Sequence, residues 1–465
     1  MSTAAQLCDD EMSGSLSNNR TLVVGLGATG LAAARFLASR GEEVLVIDSR
    51  ANPPGLEALR AAQPQLRIEL ESLHPRWLEG VSQVVISPGL GLDIGIAAEA
   101  RRRGIPLVSE IELFARAARA PVVAVTGSNG KSTVVTLVER MLAAAGIRAA
   151  AGGNLGPPAV DLLADPPEVY VLELSSFQLE TTRSLRPGAA AVLNVSADHL
   201  DRHGSLEHYA AVKAGLLRTV REPVFNRDDP IVRAMGAEYP LGIPFSARER
   251  LDRGYCAVPH RGERWLFRDG RPVLPTSRLR IPGRHNEANA LAALALVDRV
   301  IADPGPAARA RSQDALCEFP GLEHRCQRVA EEDGITFIND SKGTNVGATV
   351  AALRGLPGPL VLIAGGRAKG ADFGALAEAA AGRLAGAVVI GEAGEALRRV
   401  LSPVTSVTGA DDMPSAVEHA AGLARATGFK QVTVLLSPAC ASFDMFSDYR
   451  ARGDAFVAAV EARQR

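Results

Sequence analysis

The chain has 465 residues, of which 47% are hydrophobic and 22% are charged, and its formal net charge is −1 at pH 7. One hydrophobic core rarely serves a chain of this length, so we expect about two to four domains of ordinary globular composition. The near-zero net charge gives no bulk electrostatic reason to expect a nucleic acid or an anionic membrane as a partner.

The chain begins with MSTAAQLCDDEMSGSLSNNR, a polar segment that lacks the apolar core of a signal peptide. Apolar runs farther along are broken by glycine or by charge well before they could span a bilayer. The five cysteines are scattered and form no CxxC pair, which fits a reducing compartment and argues against a disulfide framework or a zinc site. We therefore expect a cytoplasmic protein without a membrane partner.

Three successive segments alternate short β-branched runs with Ala/Leu-rich helical patterns, which predicts βαβ units and parallel sheets. The first has strands at Leu22–Val24 and Val44–Ile47. The second opens with APVVAVTGSNGKST, has an Asp-Gly hairpin signal in RWLFRDGRPVL and ends with a helix in NEANALAALALVDRV. The third begins at ITFINDS and continues through PLVLIAGG, AGAVVIGE and QVTVLLSPA. We predict an α/β fold with domain boundaries near residues 110 and 321.

A complete GxGxxG pattern follows the first strand, formed by Gly25, Gly27 and Gly30, and Asp48 ends the next strand. Such glycines let a backbone turn approach a pyrophosphate at a helix N-terminus, and the acidic residue could accept a hydrogen bond from a ribose hydroxyl. A dinucleotide such as NAD is one interpretation. A tight strand–helix turn that binds another ligand, or none, is equally compatible with the pattern.

The stretch VAVTGSNGKST resembles a phosphate-binding loop, although Val125 stands where the strict pattern has its first glycine. The predicted strand Val122–Val125 leads into Thr126–Thr133, which supplies backbone N–H groups, a lysine for phosphate charge and hydroxyls for Mg²⁺. Gly127 can provide the tight turn. We favour a shortened triphosphate loop over an incidental glycine turn.

Polar residues follow two further strands of the second segment, Glu173 in VYVLELSSFQLE and the pair Asp198 and His199 in AAVLNVSADHLDRHG. Carboxylate and imidazole groups at neighbouring strand ends could hold Mg²⁺ beside the phosphates, although each alone is more often a cap or a solvated side chain. Lys213 lies in a helical pattern that indicates a solvent-facing lysine. The clusters GLEHR, NDSKGTN, GGRAKGADF and SPACASFDMFSDY predict a ligand site at strand ends of the third segment.

TGSNGKST, ELSSFQLE, NVSADHLDRHG, GRHNEANALAALAL, GLEHR, INDSKGTN and LLSPACASFDMF together resemble the Mur ligases of peptidoglycan synthesis, in order along the chain from about residue 20. The nucleotide loop of that family has the form TGxxGK[ST], so Val125 is ordinary for it. Its first domain is Rossmann-like but holds the UDP of the substrate, so the resemblance does not imply NAD.

The resemblance implies three domains: a UDP-substrate domain at 18–109, a central ATP-binding domain with a P-loop parallel sheet at 110–321, and a Rossmann-like, amino-acid-binding closing domain at 322–465. It is strongest to members that use ATP and Mg²⁺ to add D-glutamate to the L-alanine carboxylate of UDP-N-acetylmuramoyl-L-alanine through an acyl phosphate. A monomer is expected.

The resemblance also implies the roles of individual residues. The catalytic set would be Lys131, Glu173, His199, Lys213 (as a CO₂-derived carbamate) and Lys342, with Ser132, Glu173, His199 and Lys213 as metal ligands. ATP would contact Gly127, Ser128, Asn129, Gly130, Lys131, Ser132, Thr133, Asn286, Arg325 and Asp340. The UDP-substrate would contact Ala28, Thr29, Asp48, Ser49, Arg50, Ser87, Gly89, Asn154, Ser175 and Gln178. Glutamate would contact Thr344, Lys369, Ser442 and Tyr449.

Three alternatives remain at this level. A paralogous ligase that adds L-glutamate or a diamino acid would keep nearly all of these motifs, although a lysine at position 369 suits an acidic substrate. An NAD-dependent oxidoreductase would explain GxGxxG but not the phosphate loop. A non-catalytic nucleotide-binding module would not need Lys131, Glu173, His199 and Lys213 together.

Overall fold

The computed structural model describes residues 20–301, 305–368 and 370–463. Lys369, predicted to contact glutamate, and the N-terminal leader therefore lie outside the described residues. The chain divides between Phe114 and Ala115 into two compact units.

The N-terminal unit is built on a five-stranded parallel sheet in the order β3-β2-β1-β4-β5. Its elements are β1 (Arg20–Val24), α1 (Ala28–Ser39), β2 (Glu43–Ile47), α2 (Leu56–Ala62), β3 (Arg67–Glu69), β4 (Val81–Ile86), α3 (Gly95–Arg102), β5 (Leu107–Val108) and α4 (Glu110–Ala117), which continues past Phe114. Strand residues such as Leu22, Val23 and Val24 are all buried because helices cover both faces of a parallel sheet. Gly30 is required by packing, since a Cβ there would lie 1.8 Å from the carbonyl oxygen of Gly25.

The second unit contains two sheets, and the first has nine strands in the order β14-β13-β12-β11-β10-β9-β6-β8-β7. Its elements are β6 (Val122–Thr126), α5 (Lys131–Ala145), β7 (Ala149–Gly153), β8 (Val169–Glu173), α6 (Ser176–Leu179), β9 (Ala189–Val192), α7 (Leu200–His203), α8 (Leu206–Leu217), β10 (Val224–Asn226), α9 (Pro230–Gly236), β11 (Ile243–Ser246), β12 (Tyr255–His260), β13 (Glu263–Arg268), β14 (Arg271–Pro275), α10 (Arg284–Val300) and α11 (Gly305–Glu318). Strands β6 to β12 pair in parallel, and β13 and β14 extend the sheet as an antiparallel hairpin.

The hairpin predicted from RWLFRDGRPVL is confirmed. Its turn residues Asp269 and Gly270 have φ values of 47° and 72°, and positive φ at both positions is what a two-residue type I′ hairpin turn requires. The predicted helix in NEANALAALALVDRV is α10, whose apolar residues from Ala290 to Val297 are buried in the core together with α5. Short 3₁₀ helices complete the described connections at Pro75–Leu78, Ala159–Ala164 and Thr276–Arg278.

The second sheet of this unit has six strands in the order β15-β16-β20-β17-β18-β19, parallel except for β15 at its edge. Its elements are β15 (Gln327–Glu332), β16 (Ile335–Asn339), α12 (Val346–Gly355), β17 (Leu360–Gly365), α13 (Gly374–Ala380), β18 (Leu384–Ile390), α14 (Gly394–Leu401), β19 (Val407–Gly409), α15 (Met413–Ala426), β20 (Val432–Leu436) and α16 (Tyr449–Arg463). Successive residues Val361 and Leu362 belong to different apolar clusters, so the sheet has a core on each face.

The predicted α/β fold class with three parallel-sheet regions is confirmed, while the exact domain boundaries remain predictions. Among the described residues, no helix is long and apolar enough to cross a membrane. The turns that follow β6, β8 and β9 lie at one edge of the nine-stranded sheet, because these parallel strands are neighbours. That edge carries the residues of the site.

Candidate active site

The turn after β6 has the form of a phosphate-binding loop. Gly130 adopts a left-handed φ of 84° immediately before α5, so the first backbone N–H groups of that helix face the turn. The Nζ atom of Lys131 donates hydrogen bonds to the carbonyl oxygens of Gly127, at 2.8 Å, and Ser128, at 2.9 Å. The side chain therefore lies folded over the loop, where it can meet phosphate oxygens.

Ser132 is the centre of a hydrogen-bonded cluster beside this loop. Its Oγ donates to Oε2 of Glu173 at 2.5 Å and accepts from Nη2 of Arg325 at 2.6 Å. Asn154 donates to the other carboxylate oxygen of Glu173 at 2.6 Å. A hydroxyl and a carboxylate oxygen in contact are hard ligands of the kind that Mg²⁺ prefers, so the donor set fits the metal that the resemblance implies.

Lys213 is buried on α8, and the prediction that it faces solvent is wrong. Its Nζ donates to the carbonyl oxygen of Gly127 at 3.0 Å and lies 3.4 Å from Oγ1 of Thr126 and 4.4 Å from the ring centroid of Tyr209. Burial, with repulsion from Lys131, brings the pKa of Lys213 well below its usual value. The helical pattern could not reveal this, because α8 packs its lysine against the turn after β6.

Asn345, which sequence reasoning did not single out, joins the loop to the six-stranded sheet. Its Nδ2 donates to Oδ2 of Asp198 at 3.0 Å and to Oδ1 of Asn129 at 3.3 Å, while its Oδ1 caps α12 by accepting from the backbone N–H of Ala348. Asn345 is the last residue of the NDSKGTN motif, but an asparagine just before a helix is usually interpreted only as a helix N-cap. The neighbouring His199 is half exposed, with Nε2 3.7 Å from Oδ2 of Asp198.

Asn286 lies near the start of α10 and reaches the phosphate loop through Asn289. Its Nδ2 donates to the carbonyl oxygen of Pro282 at 2.8 Å, and its Oδ1 accepts from Nδ2 of Asn289 at 3.1 Å. A Cβ on Gly130 would lie 2.5 Å from Oδ1 of Asn289, so this glycine is required by space as well as by its φ. The structure therefore brings the predicted ATP contacts of α5 and α10 together.

Asp340 and Lys342 follow β16, and Asp340 is buried while Lys342 is partly buried. The Asp340 carboxylate accepts from Oγ of Ser437 at 2.8 Å and from the backbone N–H of Cys326 at 3.2 Å. Burial nevertheless raises the pKa of Asp340 to about 6. The Nζ of Lys342 lies 3.9 Å from the ring centroid of Tyr449, and burial together with the charge of Arg325 lowers the pKa of Lys342 to about 8.

The turn at Lys342 also contains Thr344, whose backbone N–H donates to the Lys342 carbonyl oxygen at 2.8 Å. Ser442 is buried in the segment between β20 and α16, and Tyr449 begins α16. Lys342 therefore contacts Tyr449 through its ammonium group and Thr344 through its backbone carbonyl oxygen.

Arg452 is a second residue that sequence reasoning missed, and it is 1% exposed. Its guanidinium donates to Oγ and the carbonyl oxygen of Ser341, at 3.0 and 2.8 Å, and to the carbonyl oxygen of Cys440 at 3.1 Å. It thereby joins the turns after β16 and β20, which hold Lys342 and Ser442. Burial lowers the pKa of Arg452 to about 10. Nothing in the sequence distinguishes this helical arginine from a solvated one.

The residues predicted to bind the UDP-substrate divide between the two units. Those in the N-terminal unit lie at the ends of its neighbouring strands β1, β2 and β4, and they are Ala28, Thr29, Asp48, Ser49, Arg50, Ser87 and Gly89. The Asp48 carboxylate accepts from the backbone N–H of Leu26 at 2.7 Å and pairs with the Arg50 guanidinium at 2.8 Å. Although burial opposes the change, these hydrogen bonds lower the pKa of Asp48 to about 2. Asp48 thus orients Arg50 at this edge.

Asn154, Ser175 and Gln178 belong to the second unit. Ser175 and Gln178 form a reciprocal cap at the start of α6, in which Oγ of Ser175 accepts from the backbone N–H of Gln178 at 3.2 Å. The backbone N–H of Ser175 donates in return to Oε1 of Gln178 at 2.9 Å. These contacts place both side chains just beyond Glu173, whose carboxylate Asn154 orients.

We expect Asp340→Asn to stabilise the ligand-free protein at neutral pH, because the ionised carboxylate is buried. The pKa of Asp340 is about 6 in the folded protein and near 3.8 in the unfolded chain. The free-energy cost of burying the ionised carboxylate is therefore absent below the unfolded pKa and complete above the folded pKa. The free energy of unfolding should rise by up to about 3 kcal/mol at pH 7.5 and by about half as much at pH 5. Urea denaturation at both pH values measures the difference.

The matched control is Asp411→Asn, which changes an exposed aspartate on the same sheet region. It should leave the free energy of unfolding unchanged at both pH values. An Asp340→Asn effect that is equal at pH 5 and pH 7.5 would contradict a raised pKa at this position.

Family comparisons match three consecutive parts of the chain. Residues 19–109 match the MurD-like N-terminal domain of Mur ligases, residues 125–297 the Mur ligase middle domain, and residues 324–440 the glutamate ligase domain of Mur ligases. The matches cover the two sheets of the second unit and the sheet of the N-terminal unit.

Two relatives are similar over almost their whole length. The UDP-N-acetylmuramoylalanine–D-glutamate ligase of Methylococcus capsulatus is 46% identical over 444 residues, which cover 96% of this chain and 95% of that protein. The ligase of the same name from Pseudomonas savastanoi pv. phaseolicola is 45% identical over 453 residues, 96% of this chain and 98% of that protein.

Solved structures agree on the fold. The MurC UDP-N-acetylmuramate–alanine ligase of Thermotoga maritima has a TM-score of 0.57 at 20% identity and covers 96% of this chain and 99% of its own. A pseudomurein peptide ligase type C from Methanothermus fervidus has a TM-score of 0.59 at 17% identity and covers 96% and 100%.

Proposed function

The chain belongs to the Mur ligase family, and on that basis we propose that it joins D-glutamate to the L-alanine carboxylate of UDP-N-acetylmuramoyl-L-alanine. ATP is converted to ADP and phosphate, and the product is a peptidoglycan precursor. The observation that carries the proposal is the 46% identity to a ligase of that name over 96% of the chain. The phosphate loop, with Glu173 and Arg325 joined through Ser132, supports it independently.

The reaction needs the carboxylate to be activated, because a carboxylate at neutral pH is a poor electrophile. Transfer of the γ-phosphoryl group converts one carboxylate oxygen into a leaving group, and the glutamate amine then displaces phosphate through a tetrahedral intermediate. Transfer between two anions depends on positive charge near the reacting oxygens. Lys131, Arg325 and Lys342 supply that charge from one cluster.

We assign the metal sites to oxygen and nitrogen donors of the same cluster. Bound Mg²⁺ neutralises phosphate charge and polarises the transferred phosphoryl group. Ser132 and Glu173 would hold it beside the ATP phosphates, and Glu173 and His199 would contribute to a second ion. Ser132 must then exchange its hydrogen bond to Glu173 for the metal, which its rotatable hydroxyl permits.

Lys213 carries a carbamate in this proposal. A neutral amine is needed for the N–C bond to CO₂ to form with release of one proton, and burial beside Lys131 favours the neutral amine. The carbamate is an anion, and its oxygens could be ligands of the second metal ion. Its negative charge would also attract the neighbouring cation of Lys131, which a lysine ammonium group would repel.

The remaining roles follow the contacts. Asn286, Arg325 and Asp340 would bind the nucleotide. The UDP part would bind at the strand ends of the N-terminal unit, and in the second unit Asn154, Ser175 and Gln178 remain its predicted contacts. Glutamate would meet Thr344, Ser442, Tyr449 and Lys369. Arg452 positions the two turns that carry Lys342 and Ser442. The four cysteines of the described residues are free, which supports a cytoplasmic enzyme, and we propose that it acts as a monomer.

The deciding experiment measures phosphate release from ATP by the purified protein with UDP-N-acetylmuramoyl-L-alanine and Mg²⁺. D-glutamate, L-glutamate and a diamino acid are compared at equal concentration, and we expect release with D-glutamate alone. Lys131→Ala serves as the inactive control, because it removes the cation that lies over the phosphate loop.

Release with L-glutamate instead would support the proposed phosphoryl transfer and contradict the proposed amino-acid specificity. The absence of release with all three amino acids would contradict the proposed acceptor. Binding of the UDP-linked substrate, measured by calorimetry, would then separate a failed acceptor from failed nucleotide chemistry.

We expect Lys213→Ala to lose most activity and to regain part of it with acetate or formate, because a small carboxylate can occupy the place of the carbamate. Initial rates at increasing acetate concentration measure the rescue. Lys430→Ala, which changes an exposed lysine, should keep full activity and show no response to acetate. If acetate fails to rescue a folded Lys213→Ala protein that still binds Mg²⁺, carbamylation of Lys213 is wrong.

A further inference from the structure

A second group of potential metal ligands lies on the helices α6 to α8, apart from the phosphate loop. Glu180, His203 and His208 each offer one ligand atom, and these atoms all lie within 4.8 Å of one another. We refer to these three residues as the histidine cluster. None of them has a part in the phosphoryl transfer proposed above.

His203 is buried, and its two ring nitrogens differ in their surroundings. Nε2 lies 2.9 Å from Oγ of Ser176, whereas Nδ1 is buried without a hydrogen-bond partner and lies 3.5 Å from Oε1 of Glu180. If Nε2–H donates to Ser176, the lone pair of Nδ1 faces a carboxylate oxygen. A cation between these two atoms turns that unfavourable arrangement into a favourable one.

The carboxylate of Glu180 is oriented so that its Oε1 faces His203. Its Oε2 accepts from Nη2 of Arg202 at 3.1 Å, and the Arg202 guanidinium lies 4.0 Å from the ring centroid of Phe177. Oε1 is the oxygen nearest to His203. Outer contacts from Ser176 to the imidazole and from Arg202 to the carboxylate are the kind that fix ligand orientation in metal sites.

His208 completes the cluster from the first turn of α8, where it is exposed. Its ring centroid lies 5.9 Å from that of His203. Zinc–ligand bonds of about 2.0–2.1 Å place neighbouring ligand atoms roughly 3.3 Å apart, so the cluster must contract. An exposed side chain can rotate to allow this, and its exposure also gives an ion a path from solvent.

We propose that Glu180, His203 and His208 form a binding site for one divalent transition metal ion of the Zn²⁺ class. Two imidazoles and one carboxylate favour Zn²⁺ or Co²⁺ over Mg²⁺, which prefers oxygen ligands and retains its waters. Three protein ligands leave a position for water. The bound ion links the end of α6 to α7 and α8, and it therefore stabilises the segment that contains His199.

Cobalt spectroscopy tests the site, because tetrahedral Co²⁺ has visible d–d bands that Mg²⁺ lacks. The full-length protein is titrated with Co²⁺ in excess Mg²⁺, and Zn²⁺ is then added to displace it. We expect one saturable equivalent in the wild type. His208→Ala should weaken binding at least about tenfold, and Glu180→Gln should also weaken it, whereas His419→Ala, an exposed histidine on α15, should bind as the wild type does.

Thermal unfolding gives an independent measurement. Zn²⁺ should raise the melting temperature of the wild type and of His419→Ala but not that of His208→Ala, which should keep wild-type ligase activity without added Zn²⁺. Equal Co²⁺ affinity in His208→Ala and the wild type would overturn the proposal, as would the absence of d–d bands. A thiolate-to-cobalt charge-transfer band would also overturn it, because the ion would then be bound by cysteine.

Discussion

The Nζ atoms of two lysines donate to one carbonyl oxygen, that of Gly127, and the site depends on this arrangement. Lys131 donates to it from the loop at 2.8 Å, and Lys213 donates from α8 at 3.0 Å. Burial, with repulsion from Lys131, lowers the pKa of Lys213, while the carboxylates of Asp198 and Glu173 oppose that change. Lys131 and Arg325 are then the cations at the loop, and an anionic ligand can neutralise their charge.

Residues beside the six-stranded sheet add further positive charge near the loop. Arg325 donates to Ser132 at 2.6 Å. Burial, with the charges of Arg325 and Lys131, lowers the pKa of Lys342. Arg452 is itself buried, and its observed hydrogen bonds all go to neutral oxygens. Carbonyl and hydroxyl oxygens orient this arginine without cancelling its charge, and it thereby holds together the turns that carry Lys342 and Ser442.

The sequence predicted the parts of the molecule that depend on local pattern. The glycine turn before α5 and the Asp-Gly hairpin follow from conformations that few residues adopt, and the alternation of strands and helices follows from hydrophobic period. Lys213 and Arg452 could not be found in this way. Each lies in a helix with an ordinary pattern, and only the packing of that helix against a strand-end turn brings its charge inside. The resemblance to a family supplied Lys213, whereas Arg452 was visible only in the structure.

The observed hydrogen bonds of the loop also indicate how substrates can bind at little energetic cost. The phosphate-binding groups already have hydrogen-bond partners: Lys131 bonds to loop carbonyls, Ser132 to Glu173, and Asn129 to Asn345. Nucleotide binding can exchange these bonds for bonds to phosphate and metal, so that few buried groups are left unpaired at either stage. Arg325 and Asn345 lie just before β15 and α12, beside the six-stranded sheet, so the same exchange at Ser132 and Asn129 would couple phosphate binding to the position of that sheet.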